Sequence, residues 1–129
     1  MKEFSTSWKS SKKPRKQRKY LANAPLHIKK DFLSAHLSKE LRKKYKTRNI
    51  SIRKGDRVKI MRGQFRGKIG KVTDVNKKKI RVFVEGVEIT KRDGSKAFCP
   101  LHPSNLLITE LNIEDKLRKE KIHQFEIKK

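Results

Sequence analysis

The residues best suited to chemistry lie close together in residues 62–72, which read Arg-Gly-Gln-Phe-Arg-Gly-Lys-Ile-Gly-Lys-Val. Glycine adopts positive φ readily and lets another backbone approach closely. Arginine and lysine supply charge for phosphates, and the ring of Phe65 supplies a face on which a base can stack. This spacing predicts a cationic loop suited to a polyanion such as RNA more than to a small substrate.

No catalytic or metal-binding pattern accompanies this loop. Cys99 is the single cysteine, which excludes an internal disulfide and a cysteine-based zinc finger, and we expect it to be a small buried filler. The glycines precede a strand pattern and not a helix beginning with Lys-Ser/Thr, so they do not form a nucleotide-binding phosphate loop. None of the histidines has the four-residue spacing of a paired metal site, at His27, His36, His102 and His123. We therefore predict no enzyme activity, no cofactor and no metal site.

The charge balance indicates the kind of partner. The chain has 37 Lys+Arg against 13 Asp+Glu, a formal net charge of +24. Such an excess repels itself unless a polyanion neutralises it. No apolar run approaches the roughly 18 residues of a membrane span, no strongly amphipathic basic helix is evident, and the N-terminus has no apolar signal core. We predict an intracellular nucleic-acid binder with no membrane partner and no small-molecule substrate.

Residues 1–22 are predicted to be a basic extended arm. Residues 1–48 hold 16 basic and 3 acidic residues, and the first 20 show neither helical nor strand periodicity, so we expect disorder in isolation. The arm would order along phosphates; the alternative is a solvated tail that aids solubility, and a nuclear-localisation match is weak because it arises easily in basic chains. The arm cations predicted to contact RNA are Lys12, Lys13, Arg15, Lys16, Arg18 and Lys19.

Residues 23–48 are predicted to be a short helical segment. Pro25 suits a first helical turn, and the apolar residues Ile28, Phe32, Leu33 and Leu37 recur at helical spacing. Ser38 is predicted to cap a second helix over residues 39–44. The cationic face of this helix has two open interpretations, a solvated surface or an RNA contact, and it carries Arg42, Lys43 and Lys44.

From residue 49 the apolar period changes to two, and residues 49–112 are predicted to be a small closed β barrel, which leaves no exposed edges. The expected strands fall at 50–52, 58–60, 69–75, 80–84, 87–89, around Phe98 up to Pro100, and 106–108. Val72 and Val75 are three apart, which predicts an irregularity in the third strand. Asp93-Gly94 predicts a hairpin. The fold class is therefore mainly β.

Residues 113–129 are predicted to form a peripheral C-terminal helix and tail. Asn112 would cap the helix. Two i,i+4 ion pairs would support it, Glu114–Arg118 and Asp115–Lys119. Its apolar stripe is thin.

Two sets of motifs carry a resemblance to known families. Residues 52–75, which begin Ile-Arg-Lys-Gly-Asp-Arg-Val-Lys-Ile-Met-Arg-Gly, resemble a KOW motif, a motif shared with transcription elongation factors, and its characteristic glycine falls on Gly67. Further matches are Lys-Gln-Arg-Lys at 16–19, Asn-Ala-Pro-Leu-His at 23–27, Leu-Ser-Lys-Glu-Leu-Arg at 37–42 and His-Pro-Ser-Asn at 102–105. Over residues 12–120 the chain is similar to the large-subunit ribosomal protein twenty-four family in its archaeal form.

The resemblance implies an SH3-like barrel (a KOW domain) bound to large-subunit rRNA. It implies a cytoplasmic location in the large ribosomal subunit near the polypeptide exit tunnel, early participation in subunit assembly, and neighbouring large-subunit ribosomal proteins as partners. A homo-oligomer is not expected. The first alternative is a KOW-type transcription elongation factor, although the 48 residues before the barrel are too few and too basic for the preceding domain of such factors. An enzyme acting on RNA is a more remote alternative.

The predicted mechanism is a non-catalytic RNA clamp. The barrel would present its loops to a folded RNA junction while the arm passes between RNA helices. Phe65 would either stack on a splayed base or pack on the end of the barrel. Besides the arm, the residues predicted to bind RNA are His27, Arg42, Lys43, Arg53, Lys54, Arg62, Gly63, Phe65, Arg66, Gly67, Lys68, Lys71, Lys77 and Lys78.

Overall fold

The computed structural model describes residues 4, 5, 7 and 11–127, and within them the chain is a mixture of helices and strands. The predicted mainly β class therefore holds only in part. In chain order the elements are α1 (Pro14–Asn23), α2 (Leu26–Phe32), β1 (Ser34–Leu37), α3 (Lys39–Tyr45), β2 (Asn49–Ser51), β3 (Arg57–Ile60), β4 (Ile69–Asn76), β5 (Arg81–Val84), β6 (Glu88–Thr90), β7 (Lys96–Phe98), a 3-10 turn (Pro103–Asn105), β8 (Leu106–Glu110) and α4 (Lys116–Ile127).

A six-stranded sheet in the order β2-β1-β8-β3-β4-β5 forms the centre of the fold, and β6 and β7 make a separate ribbon. Only the β1–β8 pair is parallel. The two edge strands β2 and β5 are not paired with each other, so the sheet is not closed. Beyond β5 there is one bridge, in which Val82 and Leu101 exchange N–H···O bonds of 2.9 Å. Pro100 and Pro103 flank this bridge and lack the N–H groups that longer pairing would need.

Residues 34–37 were predicted to be helical and instead form β1, between β2 and β8. Leu33, Ala35 and Leu37 are buried while the residues between them are half-buried, which is strand alternation. The apolar positions fit both periods over so short a run, and pairing decides between them. Leu37 lies opposite Ile108 of β8, whose carbonyl accepts the Ser38 N–H at 2.9 Å. The sheet therefore begins before residue 49.

Several local predictions are confirmed. Ser38 caps α3 by accepting the Leu41 N–H at 3.3 Å. The irregularity in β4 is a register shift between Val72 and Asp74, and residues 93–94 lie in the turn that joins β6 to β7. Ile80 is an exception, because its φ of +54° places it in the turn before β5 and not in the strand.

The core lies on one face of the sheet and collects residues from five strands, β1, β3, β4, β5 and β8. Val58, Val82, Val84 and Leu106 are completely buried. The cluster consists of Leu33, Ala35, Leu37, Ile52, Val58, Ile60, Val72, Val82, Val84, Val87, Leu106 and Ile108. The N-terminal segment contributes the first three, so it is part of the folded unit.

Residues 14–23 form α1, which corrects the prediction of an extended arm over residues 1–22. Pro14 stands in the first turn, where its fixed φ suits a helix. The ring of Tyr20 meets that of Phe32 edge-on at 6.2 Å between centroids, and Lys29 Nζ donates to the Ala22 carbonyl at 3.1 Å. The fold therefore does offer this segment a surface, on α2. The predicted arm at residues 1–3, 6 and 8–10, like the tail at 128–129, lies outside the described residues.

A buried ion pair joins the β2–β3 connection to α4. Asp56 is completely buried, and its two carboxylate oxygens lie 2.6 and 2.7 Å from Nη1 and Nη2 of Arg118. The same carboxylate accepts the N–H groups of Arg53 and Asn112, each at 2.9 Å. The guanidinium also donates to the Asn112 carbonyl at 2.8 Å. All of these partners lie at the end of the sheet where α4 begins.

The C-terminal helix differs from its prediction at its first turn. Asp115, and not Asn112, accepts a first-turn amide, the Leu117 N–H at 3.1 Å. Asn112 instead bonds the N–H of Glu114 through its side chain. The predicted Glu114–Arg118 pair does not form, because the guanidinium is taken up by Asp56. The helix is thereby attached to the sheet by its charged first turn.

Replacing Arg118 should reveal how much the Asp56–Arg118 pair contributes to the free energy of unfolding. Arg118→Ala leaves the Asp56 carboxylate buried without its counterion, and such losses cost about 3–5 kcal/mol of unfolding free energy. Lys119→Ala, at the exposed neighbouring position of α4, is the matched control and should change stability by less than about 0.5 kcal/mol. Urea unfolding followed by circular dichroism measures both. Equal stability of the two variants would contradict a structural role for the pair.

Candidate nucleic-acid interface

The β3–β4 connection, residues 61–68, is a loop fixed by its own backbone. The Gly67 N–H donates to the Ile60 carbonyl at 2.8 Å, and the Ile60 N–H donates to the Lys68 carbonyl at 2.9 Å. Gly63 and Gly67 have φ of +91° and +90°, the conformation for which glycine was expected here. The loop is further tied to the 3-10 turn, where the Met61 N–H donates to the Asn105 carbonyl at 2.8 Å.

The cations of this loop are available to a ligand. Arg62, Arg66 and Lys68 are exposed, and none forms an ion pair with an acidic side chain in the described part of the chain. Because the backbone beneath them is hydrogen-bonded, their Cα positions are held in place. The loop can therefore offer several positive charges to a polyanion at one place on the fold.

Phe65 is half-buried and packs against the hydrophobic core. Lys68 Nζ lies 5.2 Å from the centroid of its ring, within the range of a cation–π contact. These contacts favour the second of the two predicted roles, packing on the fold. Stacking of Phe65 on a base stays a prediction.

A second group of predicted residues meets at a recess on another side of the sheet. Arg53, Lys54 and Lys77 line it, together with Lys30 of α2, which sequence reasoning did not single out. Arg53 forms an ion pair with Asp115. The Nζ of Lys54 lies 2.6 Å from the Asp74 carboxylate, and this hydrogen bond is the main cause that lowers the pKa of Asp74 below its ordinary value.

The predicted arm cations lie on or next to α1. All six are exposed, and none is ion-paired with a residue that the structure describes. His27 is exposed in the first turn of α2. These residues form a third cationic surface, carried by a helix and not by extended chain.

The remaining predicted residues are dispersed. The Nε of Arg42 donates to the Leu37 carbonyl at 2.8 Å, which is a structural role, while Lys43 beside it is exposed. Lys71 lines a separate recess with Arg57, and Lys78 lies exposed in the β4–β5 turn. The predicted site is therefore several cationic surfaces and not one patch.

Sequence reasoning missed Lys30 and the buried Asp56. Lys30 lies inside the predicted helical segment 23–48, and only the packing of α2 beside the β2–β3 connection brings it to the recess. Asp56 follows a glycine in a turn, a position that usually signals exposure. Its partner lies 62 residues further along the chain, so no local pattern could indicate the pair.

Other predicted features can be compared with the structure. Cys99 is half-buried and packs against the core, which agrees with a filler. Across the described residues, no three His, Cys, Asp or Glu side chains are grouped so as to hold a metal ion. Within that same part of the chain, no helix has the length and apolar character needed to cross a membrane.

A fixed cationic loop on a small sheet, with further cations on α1 and around a recess, is typical of RNA-binding proteins. Comparison with known families agrees: the model for the eukaryotic ribosomal proteins L26 and their archaeal counterparts, numbered twenty-four, matches residues 11–124. The chain belongs to this family of ribosomal proteins. The resemblance found from its motifs is thereby confirmed, and the alternative of a transcription elongation factor gains no support.

Individual relatives give the same result. The chain is 47% identical over 114 residues to the large ribosomal subunit protein uL24 of Methanosphaera stadtmanae, covering 88% of this chain and 97% of the relative. It is 50% identical over 109 residues to uL24 of Korarchaeum cryptofilum, covering 84% and 83%. It is 52% identical over 112 residues to uL24 of Methanoculleus marisnigri, covering 87% and 93%. All three relatives are archaeal.

The conformation of Gly67 gives a test of the loop. A Cβ at this position would meet no heavy atom within 4 Å, so the cost of Gly67→Val comes from the positive φ alone. We expect a loss of about 1–3 kcal/mol of stability. Gln64→Val, in the same loop but without positive φ, should stay within about 0.5 kcal/mol of the native chain. Urea unfolding measures both, and an unaffected Gly67→Val variant would show that the loop does not require this conformation.

His102 gives a prediction about pH. The residue lies at the surface. Its Nδ1 accepts the Ser104 N–H at 3.3 Å, and partial burial of the ring, followed by the charge of Arg81, lowers the pKa of the imidazole below its ordinary value of 6.5. Just below pH 6.5 the unfolded chain binds more protons than the folded chain, so stability falls as the pH falls through this range. His102→Asn should flatten the stability profile between about pH 5.5 and 7.5. Proton NMR titration measures the pKa directly, and a value above 6.5 would contradict the geometry.

Proposed function

We propose that this chain is a structural constituent of the large ribosomal subunit that binds rRNA without catalysing a reaction. The observation that carries the proposal is the hydrogen-bonded β3–β4 loop with its exposed cations Arg62, Arg66 and Lys68, in a chain that belongs to a ribosomal protein family. The relatives are named as large-subunit proteins, and we assign this chain to the same subunit in the cytoplasm, with rRNA and neighbouring ribosomal proteins as its partners.

The loop acts as a preorganised phosphate clamp. Because its backbone is already closed by hydrogen bonds between residues 60, 67 and 68, binding orders mainly the arginine and lysine side chains, which reduces the entropy lost on association. The cations supply most of the affinity through the phosphate backbone, with little dependence on base sequence. A folded RNA junction, where phosphates approach from several directions, suits a loop of this kind.

The α1 cations extend the clamp. Their charge neutralises phosphates of adjacent RNA segments and so offsets the repulsion between those segments. A chain with a net charge of +24 is suited to this task when RNA helices first come together, which supports participation in early subunit assembly. We further propose, from the family resemblance, a location near the polypeptide exit tunnel.

We infer that the sheet is an SH3-like barrel of the KOW type that remains open at one seam. Strands β3, β4 and β5 form an antiparallel meander, and the outer edge of β5 meets the chain that leads to β8 through the Val82–Leu101 bridge. In this proposal residues 49–112 form the barrel, with β1 inserted between β2 and β8, and residues 1–22, 23–48 and 113–129 are its extensions.

Reversing one loop charge tests the proposal. Arg66→Glu should weaken binding to large-subunit rRNA at every salt concentration. It should also make the negative slope of log K against log salt shallower by about 1 or more. Arg92→Glu, an exposed charge reversal in the turn of the β6–β7 ribbon, is the matched control. It should change the slope less than Arg66→Glu does. Filter binding across a salt series measures both affinities.

The native chain itself should bind with a strong salt dependence. If it makes about 6–10 phosphate contacts, its affinity should fall by about 10³–10⁵ between ~50 and ~200 mM salt. An unchanged dissociation constant for Arg66→Glu would remove the loop from the interface. Absence of binding at low salt would overturn the proposed function.

A further inference from the structure

The recess beside the β2–β3 connection combines an apolar floor with a cationic rim. Of the three apolar residues of the floor, Val75 is half-buried and provides most of the accessible surface, whereas Leu33 and Ile52 are only 2% and 4% exposed. The Ile52 N–H donates to the Leu33 carbonyl at 2.9 Å, which joins the two sides. The rim carries Lys30, Lys54 and Lys77. The recess encloses about 430 Å³, which falls in the range of roughly 300–1,000 Å³ found for sites that hold small organic groups.

The cations that line the recess differ in whether they are paired with an acidic side chain. Lys54 and its neighbour Arg53 are each paired with an acidic side chain, Asp74 and Asp115. Lys30 and Lys77 have no such partner among the residues that the structure describes. Two cations are therefore held in place at the edge of the recess while two remain able to neutralise a ligand.

We infer that this recess holds one unstacked nucleotide of an RNA chain, with the base on the floor and the flanking phosphates at Lys30 and Lys77. A nucleotide matches both the apolar floor and the cationic rim, since its base has apolar faces and the phosphates on either side of its ribose are anionic. A phosphate alone would leave the apolar floor uncovered. The inference rests on the proposed rRNA binding and adds a preference for bulged or single-stranded positions, which the phosphate clamp of the β3–β4 loop does not supply.

The placement of the recess supports RNA over an acidic peptide as its occupant. Lys77 begins a turn that continues with two further exposed lysines, Lys78 and Lys79. Three successive exposed lysines beside the recess give it a high density of positive charge, which suits the phosphates of a nucleic-acid strand. An acidic peptide matches this turn less well, since successive side chains of an extended peptide point in opposite directions and only half of them would face the lysines.

Three synthetic RNA hairpins of identical stem sequence test the inference with the full-length chain. One is fully paired, one carries a single bulged uridine, and one carries a bulged nucleotide that lacks its base. We expect the native chain to bind the uridine bulge about fivefold more tightly than the paired hairpin, at the lower end of the gain from stacking a base because the floor is aliphatic. The abasic bulge should bind like the paired hairpin.

Charge-reversal variants assign the preference to the recess. Lys77→Glu and Lys30→Glu should abolish the preference for the uridine bulge, whereas Lys79→Glu, in the same turn but outside the recess lining, should weaken binding of all three hairpins and keep the ratio. Fluorescence anisotropy at fixed salt gives the dissociation constants.

Four outcomes would overturn the inference, and one of them also overturns the proposed function. Equal affinity for the paired and bulged hairpins refutes the recess site while RNA binding stands. Equal affinity for the abasic and uridine bulges shows that no base is seated. Tighter binding of a peptide of alternating glutamate and leucine, lost in Lys77→Glu, assigns the recess to a protein partner. Failure to bind any hairpin at low salt refutes both proposals.

Discussion

The fold depends on one buried ion pair, between Asp56 and Arg118. Removing a carboxylate and a guanidinium from water is costly, and only close geometry with additional hydrogen bonds offsets that cost. Asp56 meets this condition through both guanidinium nitrogens and two backbone N–H groups. The pair holds together the turn after β2, the chain after β8 and the first turn of α4. Because that turn also carries Arg53 and Lys54, the pair helps to position two of the cations that line the recess.

The rest of the structure accommodates many like charges on a small fold. The core is apolar and confined to one face of the sheet, so nearly all cations lie outside it. Two neighbouring cations have acidic partners, in the pairs Lys54–Asp74 and Arg53–Asp115. Those of the β3–β4 loop have no acidic partner among the described residues and are held apart by a hydrogen-bonded backbone instead. The surfaces with unpaired charge are therefore the ones that gain most from a polyanion.

Sequence reasoning succeeded where the determining forces are local. The Ser38 cap, the bulge in β4 and the positive φ of Gly67 each follow from a few neighbouring residues, and the structure has them. It failed where distant contacts decide. Residues 34–37 were predicted to be helical because the spacing of Leu33 and Leu37 fits both the helical and the strand period. Pairing with β8 makes this segment a strand. The arm was predicted to be extended because no local pattern reveals the contact of its Tyr20 ring with the Phe32 ring of α2. Of the candidate site, the residue types were predictable, but the division into loop, helix and recess was not.

The parallel pairing of β1 with β8 has a consequence for biosynthesis. His36 lies opposite Leu107 in the sheet, so the pairing of β1 cannot be completed until β8 has been synthesised. Contacts of such long sequence separation slow folding, because a large loop must close before they form. During translation β1 can pair with β2 early, but its other edge stays unpaired until β8 has been synthesised.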